Sequence, residues 1–234
     1  MALFGTLVNG GLIVLGSIIG LFFTKIPERM KETVMQGIGL AVILIGLQMA
    51  FSTEQIIIVL LSLLTGGVLG ELINVEKWLD RFGNWLGSKF TTKNEKISVS
   101  QGFVTATLIF CIGAMGIIGA LDGGIRNDHE VLITKGILDG FASLVLTTTL
   151  GFGVLFSVVP VVLYQGIIAL FATQIEKIVP EAFLNGLIVE LTAVGGLMIV
   201  AIGLNMLKIT QIRIGNLLPS IVSVVLIFYI YQLF

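Results

Sequence analysis

The sequence predicts an all-α protein: a polytopic integral membrane helical bundle of about eight transmembrane helices, with an inverted three-helix repeat and one interfacial amphipathic helix. Three observations lead there. Of 234 residues, 56% are hydrophobic and only 12% charged, and mean hydropathy is +1.08; soluble domains carry about 25% charged residues. The apolar residues fall in continuous runs near the ~20 positions a helix needs to cross a bilayer, not in the alternating pattern of an outer-membrane barrel. The chain also matches itself, as set out below.

The spans fall at about 4–23, 34–51, 55–73, 102–120, 133–150, 157–174, 183–206 and 214–233. The opening MALFGTLVNGG has no Lys or Arg ahead of its apolar run, so it reads as the start of the first span and not as a cleaved signal peptide. Residues 136–173 run almost unbroken except at Gly151, Gly153 and Pro160. One helix of that length would measure about 57 Å, nearly twice the hydrocarbon core, so a hairpin is expected. Segment 75–90 is not a span. Val75, Trp78, Leu79, Phe82, Trp85 and Leu86 recur at helical spacing opposite Glu76, Lys77, Asp80, Arg81 and Lys89, the pattern of a helix lying in the membrane interface.

Charge sets the orientation. Lys25, Arg29 and Lys31 follow the first span; Lys77, Arg81, Lys89, Lys93 and Lys96 follow the third; Lys208 and Arg213 separate the last two. These alternate connections hold ten of the 13 basic residues, leaving Arg126, Lys135 and Lys177 on the other side. The positive-inside rule then puts both termini outside.

The self-match pairs IIGLFFTKIPE (18–28) with IIALFATQIEKIVPE (167–181), given a four-residue insertion. Further on, Gly39-Leu40 and Gly46-Leu47-Gln48-Met49 pair with Gly196-Leu197 and Gly203-Leu204-Asn205-Met206 at an offset of 157, which also pairs Thr53 with Thr210. The chain thus reads as a single membrane domain, 1–234. Its halves are about 1–73 and 158–234, around a two-helix insert at about 101–150. Two intervening spans invert the second copy, a signature of secondary transporters that two-sided channels share.

Ionisable residues inside spans are costly, ~2.5–3.5 kcal/mol at a helix centre on insertion scales, so they are the first candidates for binding a substrate or ion. Asp139 and Lys135 stand four apart on one helical face, where they can bind a cation or proton or simply neutralise each other. Glu190 is the second candidate; Glu71 sits at a span end, where a carboxylate is cheap. Gln48 and Asn205 are repeat-related amides for which interhelical hydrogen bonding is the plainer role. Asn9 and Gln165 stand beside glycines, as suits helix segments that expose carbonyls. Small-xxx-small pairs such as Gly16/Gly20, Gly66/Gly70 and Gly136/Gly140 indicate close helix packing. The acidic loop around Asp122, Asp128, His129 and Glu130 lacks the oxygen spacing of a calcium loop, so no metal is expected. No cofactor, hydrolase or nucleotide motif is present, so an enzyme is not expected. The net charge of −1 argues against nucleic acid, and the lone Cys111 leaves no internal disulfide.

At FCIGAMGIIG (110–119), LITKGILDGF (132–141) and GFGVLFSVVPVVLYQG (151–166), the chain resembles a bacterial domain-of-unknown-function family of multi-pass inner-membrane proteins, the YqgA/YdfK-like proteins. The resemblance extends over essentially the whole chain, including the opening GTLVNGG. It implies a bacterial inner-membrane location and no particular substrate. The motif residues it carries over are Cys111, Gly113, Ala114, Met115, Lys135, Asp139, Gly140, Gln165 and Gly166.

The expected function is a small secondary transporter or ion-coupled permease for a small molecule or ion. Its partners would be the lipid bilayer and, given its small size, a second copy in a homodimer. A passive channel of the same symmetry and a non-transporting structural or regulatory membrane protein are the other readings.

Overall fold

Helix is what a bilayer demands of a single chain, because every backbone N–H and C=O must be satisfied within its own segment. The computed structural model describes residues 1–23, 28–79, 81 and 99–233, and among these it is helical with no strand. The helices are α1 (Phe4–Phe22), α2 (Glu28–Ala50), α3 (Ile56–Ile73), α4 (Val99–Cys111), α5 (Ala114–Ile125), α6 (Glu130–Leu150), α7 (Val158–Ile178), α8 (Glu181–Met206) and α9 (Ser220–Tyr231). Two 3-10 segments, Gly151–Ser157 and Ile214–Leu217, precede α7 and α9. Residues 75–79 and 81 are helical; the rest of the amphipathic segment, and Lys25, Ile26 and Pro27 of the repeat, lie outside the described residues.

By length and composition five helical stretches can cross a membrane, or six if the bent pair α4–α5 counts as one. That is fewer than the eight expected. One of the five, Glu130–Ile178, contains both α6 and α7, while the apolar part of α2, Met35–Ala50, falls short of a full span. The expected fourth span is interrupted: α4 and α5 meet at an angle of 59°. The cause is local. Gly113 has φ 133 and ψ 148, a region closed to residues with a Cβ, so the helix stops and restarts there.

The described residues form two compact units, one within Met1–Glu32 and Gly83–Glu181, the other within Thr33–Phe82 and Ala182–Phe234. In the first unit, the packed face of α1 is small and polar, whereas α8 in the second also buries Ile188, Met198, Ile199 and Ile202. On α1 the buried residues are Gly5, Thr6, Asn9, Gly10, Ile13, Gly16, Ser17 and Gly20, while Leu7, Leu15, Ile18, Ile19 and Phe22 are exposed. Lipid drives no apolar side chain inward, so small residues take the contacts.

In the first unit, α6 runs parallel to α1. A Cβ on Gly136 would lie 3.0 Å from Asn9 Cα, one on Gly140 3.0 Å from the Leu12 carbonyl, and one on Gly20 would meet the Leu144 carbonyl at 2.5 Å. α5 runs antiparallel to α6, with Gly116, Gly119 and Gly123 facing Lys135, Leu132 and His129 in turn. α7 runs parallel to α5: Gly116 faces Tyr164 and Gln165, and Gly124 faces Ala169 and Ala172. Since α6 and α7 run oppositely along α5, the chain reverses through the 3-10 segment Gly151–Ser157. The 136–173 stretch is therefore a hairpin whose turn is itself helical, opened by Gly151 at φ 71.

In the second unit, α2 and α8 are antiparallel. Gly46 would place a Cβ 2.6 Å from the Val200 nitrogen and 2.7 Å from the Gly196 carbonyl, and Gly203 would place one 2.8 Å from the Gly39 carbonyl. α3 and α9 are likewise antiparallel, Gly66 meeting Ser220 and Gly70 meeting Asn216.

Candidate functional site

Four of the candidate residues, Asn9, Lys135, Asp139 and Gln165, come together in the first unit. Lys135 Nζ donates to Asp139 Oδ2 at 2.6 Å, one helical turn apart, with the two residues 7% and 6% exposed. Breaking such a buried pair by removing one partner costs roughly 3–5 kcal/mol. Asn9, from α1, donates its Nδ2 to Gln165 Oε1 of α7 at 3.2 Å, and its amide stands beside the Asp139 carboxylate. Two hydrogen-bonded pairs, Lys135–Asp139 and Asn9–Gln165, thus lie side by side in a polar cluster across three helices.

That cluster is incomplete. Asn9 and Gln165 are wholly buried, yet Asn9 Oδ1 and Gln165 Nε2 have no hydrogen-bond partner. Turning both amides over would leave one donor and one acceptor unfilled all the same. Buried side-chain polar atoms are normally satisfied, so two open groups on bonded neighbours mark a place where a ligand can bond.

The helix break borders this place. Gly116 lies in the first turn of α5, and a Cβ there would lie 3.5 Å from Lys135 Cε, 3.5 Å from Tyr164 Cε1 and 3.7 Å from Gln165 Nε2. These are ordinary contact distances, so the three side chains close around a point that a single carbon can occupy without a clash. Cys111, the last residue of α4, stands within electrostatic reach of both Lys135 and Asp139, and Tyr164 within reach of Cys111. The first N–H groups of α5 have no carbonyl four residues back to bond and carry the positive end of the helix dipole.

The other three candidates belong to the second unit and have other employment. Glu190 is 1% exposed, and its carboxylate accepts from Thr53 Oγ1 at 2.6 Å and from the backbone N–H groups of Glu54 and Gln55 at 3.0 and 2.9 Å. It therefore holds the α2–α3 connection and places an anion at the start of α3, a favourable position. Asn205 does the corresponding work between α8 and α9: its Oδ1 accepts from Thr210 Oγ1 at 2.8 Å and from the Ile212 N–H at 2.9 Å. Gln48 is exposed. Glu71, at the end of α3, forms an exposed two-pronged pair with Arg213, at 3.0 Å to each carboxylate oxygen; exposed pairs contribute ~0.2–1 kcal/mol.

The chain can now be set beside known proteins. Residues 4–229 match the family model described as "Protein of unknown function (DUF554)". The chain belongs to that family. It is similar to the "Uncharacterized membrane protein YdfK" of Bacillus subtilis (strain 168), with 36% identity over 235 residues, 98% of this chain and 97% of the relative. It is also similar to the "Uncharacterized protein YqgA" of Escherichia coli (strain K12), with 27% identity over 221 residues, 93% of this chain and 92% of the relative. No solved structure matches it. Together with its apolar helices, this makes the chain a multi-pass membrane protein of an uncharacterised family.

Two contributors to the site escape sequence reasoning. Tyr164 adjoins Gln165, and its place beside a polar intramembrane residue was the available signal. Gly116 looked like one more packing glycine; only the turn of α5 after the break aims it at Lys135 and Gln165.

Proposed function

We propose that this protein is a small secondary transporter of the bacterial cytoplasmic membrane, working by alternating access between inverted repeats. It would bind its substrate at the cluster of Asn9, Lys135, Asp139 and Gln165. The observation that carries this reading is a broken helix ending against a buried Lys–Asp pair, beside fully buried amides with unfilled bonding groups. Transporters build midplane sites from discontinuous helices whose free termini face charged substrate groups. The open donor and acceptor stand next to each other and beside the charged pair, so one ligand could use them together.

The contacts within the second unit support the repeat. Gly39 and Gly46 match Gly196 and Gly203 at the offset of 157, and they pack crosswise, Gly46 on Gly196 and Gly39 on Gly203. A two-fold axis passing between α2 and α8 exchanges those partners. The connections use the same positions with different holders: Thr53 and the N–H of residue 55 are held by Glu190, and their offset mates, Thr210 and the N–H of residue 212, by Asn205, whose own mate is Gln48. The parallel run of α1 and α6 fits three crossings between them, as the eight-span reading with both termini outside requires. A homodimer completes the reading for so small a chain.

The test is uptake by proteoliposomes given a pH or sodium gradient and a mixture of small metabolites, with the lumen analysed by mass spectrometry. Saturable accumulation that is lost in Asp139→Asn is expected. Single-channel currents would favour a passive pore, and uptake indifferent to Asp139 and Lys135 would overturn the site.

A further inference from the structure

The bonding groups left open at Gly116 specify the charge of what can occupy the site. Gln165 Nε2 is buried and unpartnered, and it lies 3.7 Å from the position a Cβ on Gly116 would take. Lys135 approaches the same point at 3.5 Å through its Cε, and its ammonium carries three donors, of which Asp139 takes one. The start of α5, a helix of 12 residues, adds the positive end of its dipole. Donors and positive potential therefore converge on one small space, the chemistry that holds an anion.

Charge balance then decides what must enter with it. The empty site holds Lys135⁺ and Asp139⁻ and is neutral. Adding an anion alone would leave a net negative charge in a buried, low-dielectric place, which is strongly unfavourable. A proton on Asp139 restores neutrality and frees Lys135 to pair with the anion. Among the described residues, the other titratable groups around Asp139 are Lys135 on its own helix and the Cys111 thiol on α4, with the Tyr164 phenol of α7 beside Lys135 at Gly116; thiol and phenol are neutral when protonated. α1 presents only the amide of Asn9, which has no charge to change. That amide suits both states, since an amide N–H can donate to a carboxylate and, turned over, its open Oδ1 can accept from a carboxylic acid.

We infer that the site takes a small monocarboxylate together with one proton, held by Lys135, Gln165 and the start of α5 while Asp139 carries the proton. The balance is closed: one anion and one proton enter, the Lys135–Asp139 bond opens, and the net charge of the site stays zero. This rests on the transporter reading for its purpose but makes its own prediction about binding.

The experiment measures the melting temperature of the detergent-solubilised full-length protein against rising L-lactate, formate, chloride and L-alanine, stepwise in pH. Ligands that bind only the folded protein raise its stability with concentration, so apparent affinities follow. L-lactate or formate is expected to stabilise the wild type, with affinity falling about tenfold per pH unit once Asp139 is ionised in the free protein, because one proton is bound per anion. Asp139→Asn mimics the protonated acid and is expected to bind the same carboxylate with no pH dependence. Gly116→Ala, which fills the space without altering charge, is expected to lose binding at an unchanged basal melting temperature or a slightly lowered one. Carboxylate affinity independent of pH in the wild type would overturn the proposal. So would stabilisation by chloride alone, by L-alanine alone, or by none of the four. Carboxylate binding with the proton linkage but without uptake would sink the transporter reading and leave this one standing. Uptake of a cation or zwitterion that requires Asp139 and Lys135 would do the reverse.

Discussion

Gly113 and Glu190 show how a single residue fixes local geometry. With φ 133 and ψ 148, position 113 admits glycine and little else. Gly113→Ala is therefore expected to cost ~1–3 kcal/mol, read as a lower melting temperature, and to disturb the meeting of α4 and α5 at the site. Glu190 accepts three hydrogen bonds from the 53–55 turn. Removing it leaves Thr53 Oγ1–H and the Glu54 N–H without an acceptor, each costing ~1–3 kcal/mol if it stays buried, while the Gln55 N–H keeps Thr53 Oγ1 at 3.1 Å. Glu190→Ala is expected to lower the melting temperature clearly, while Glu190→Gln, which keeps one oxygen for the turn, costs less. Ligand binding per folded molecule is expected to be unaltered in Glu190→Gln; a loss of binding there would make Glu190 part of the substrate site. The sequence made Asp139 and Lys135 stand out because intramembrane charge is rare and their spacing is helical. It ranked Glu190 beside them because burial was legible, whereas the turn that Glu190 holds comes from 137 residues away.

Helix pairs are set by glycine more than by bulk. On α2 and α8 the closest approach is backbone to backbone, so a side chain there must push helices apart. Gly46→Ala would bring its Cβ to 2.6 Å from the Val200 nitrogen; overpacking of this kind costs ~1–3 kcal/mol, to be read in thermal unfolding against Gly11→Ala, which meets nothing within 4 Å. At this scale most of the apolar runs were legible, because lipid selects for them directly. Interruptions were not: the fourth run reads as continuous through Ile112, Gly113 and Ala114, and hydropathy carries no signal for a φ angle. The eighth run likewise hides the 3-10 segment Ile214–Leu217 and a helix that begins only after Pro219. The hairpin within 136–173 was legible from length alone, since a bilayer cannot hold a helix of about 57 Å upright.

For the whole molecule, the offset of 157 was visible in a few residues, and its meaning lies in which of them touch. Crosswise packing of Gly39 and Gly46 on Gly203 and Gly196 is the arrangement an antiparallel helix pair gives and the proposed inverted duplication would produce, and a one-dimensional match cannot show it. The same reading predicts a topology. Reporter enzymes fused at the C-terminus are expected to be active outside the cytoplasm; activity in the cytoplasm would refute an even number of crossings with both ends out. The central claim, that the Lys135–Asp139 cluster couples a proton to movement of a substrate, is tested most directly in proteoliposomes preloaded with L-lactate. In the wild type, a pH gradient is expected to drive net accumulation of labelled L-lactate and to acidify the lumen by one proton per anion. Asp139→Asn is expected to exchange lactate across the membrane without net, gradient-driven uptake. Equal pH-driven accumulation by the wild type and Asp139→Asn would contradict it.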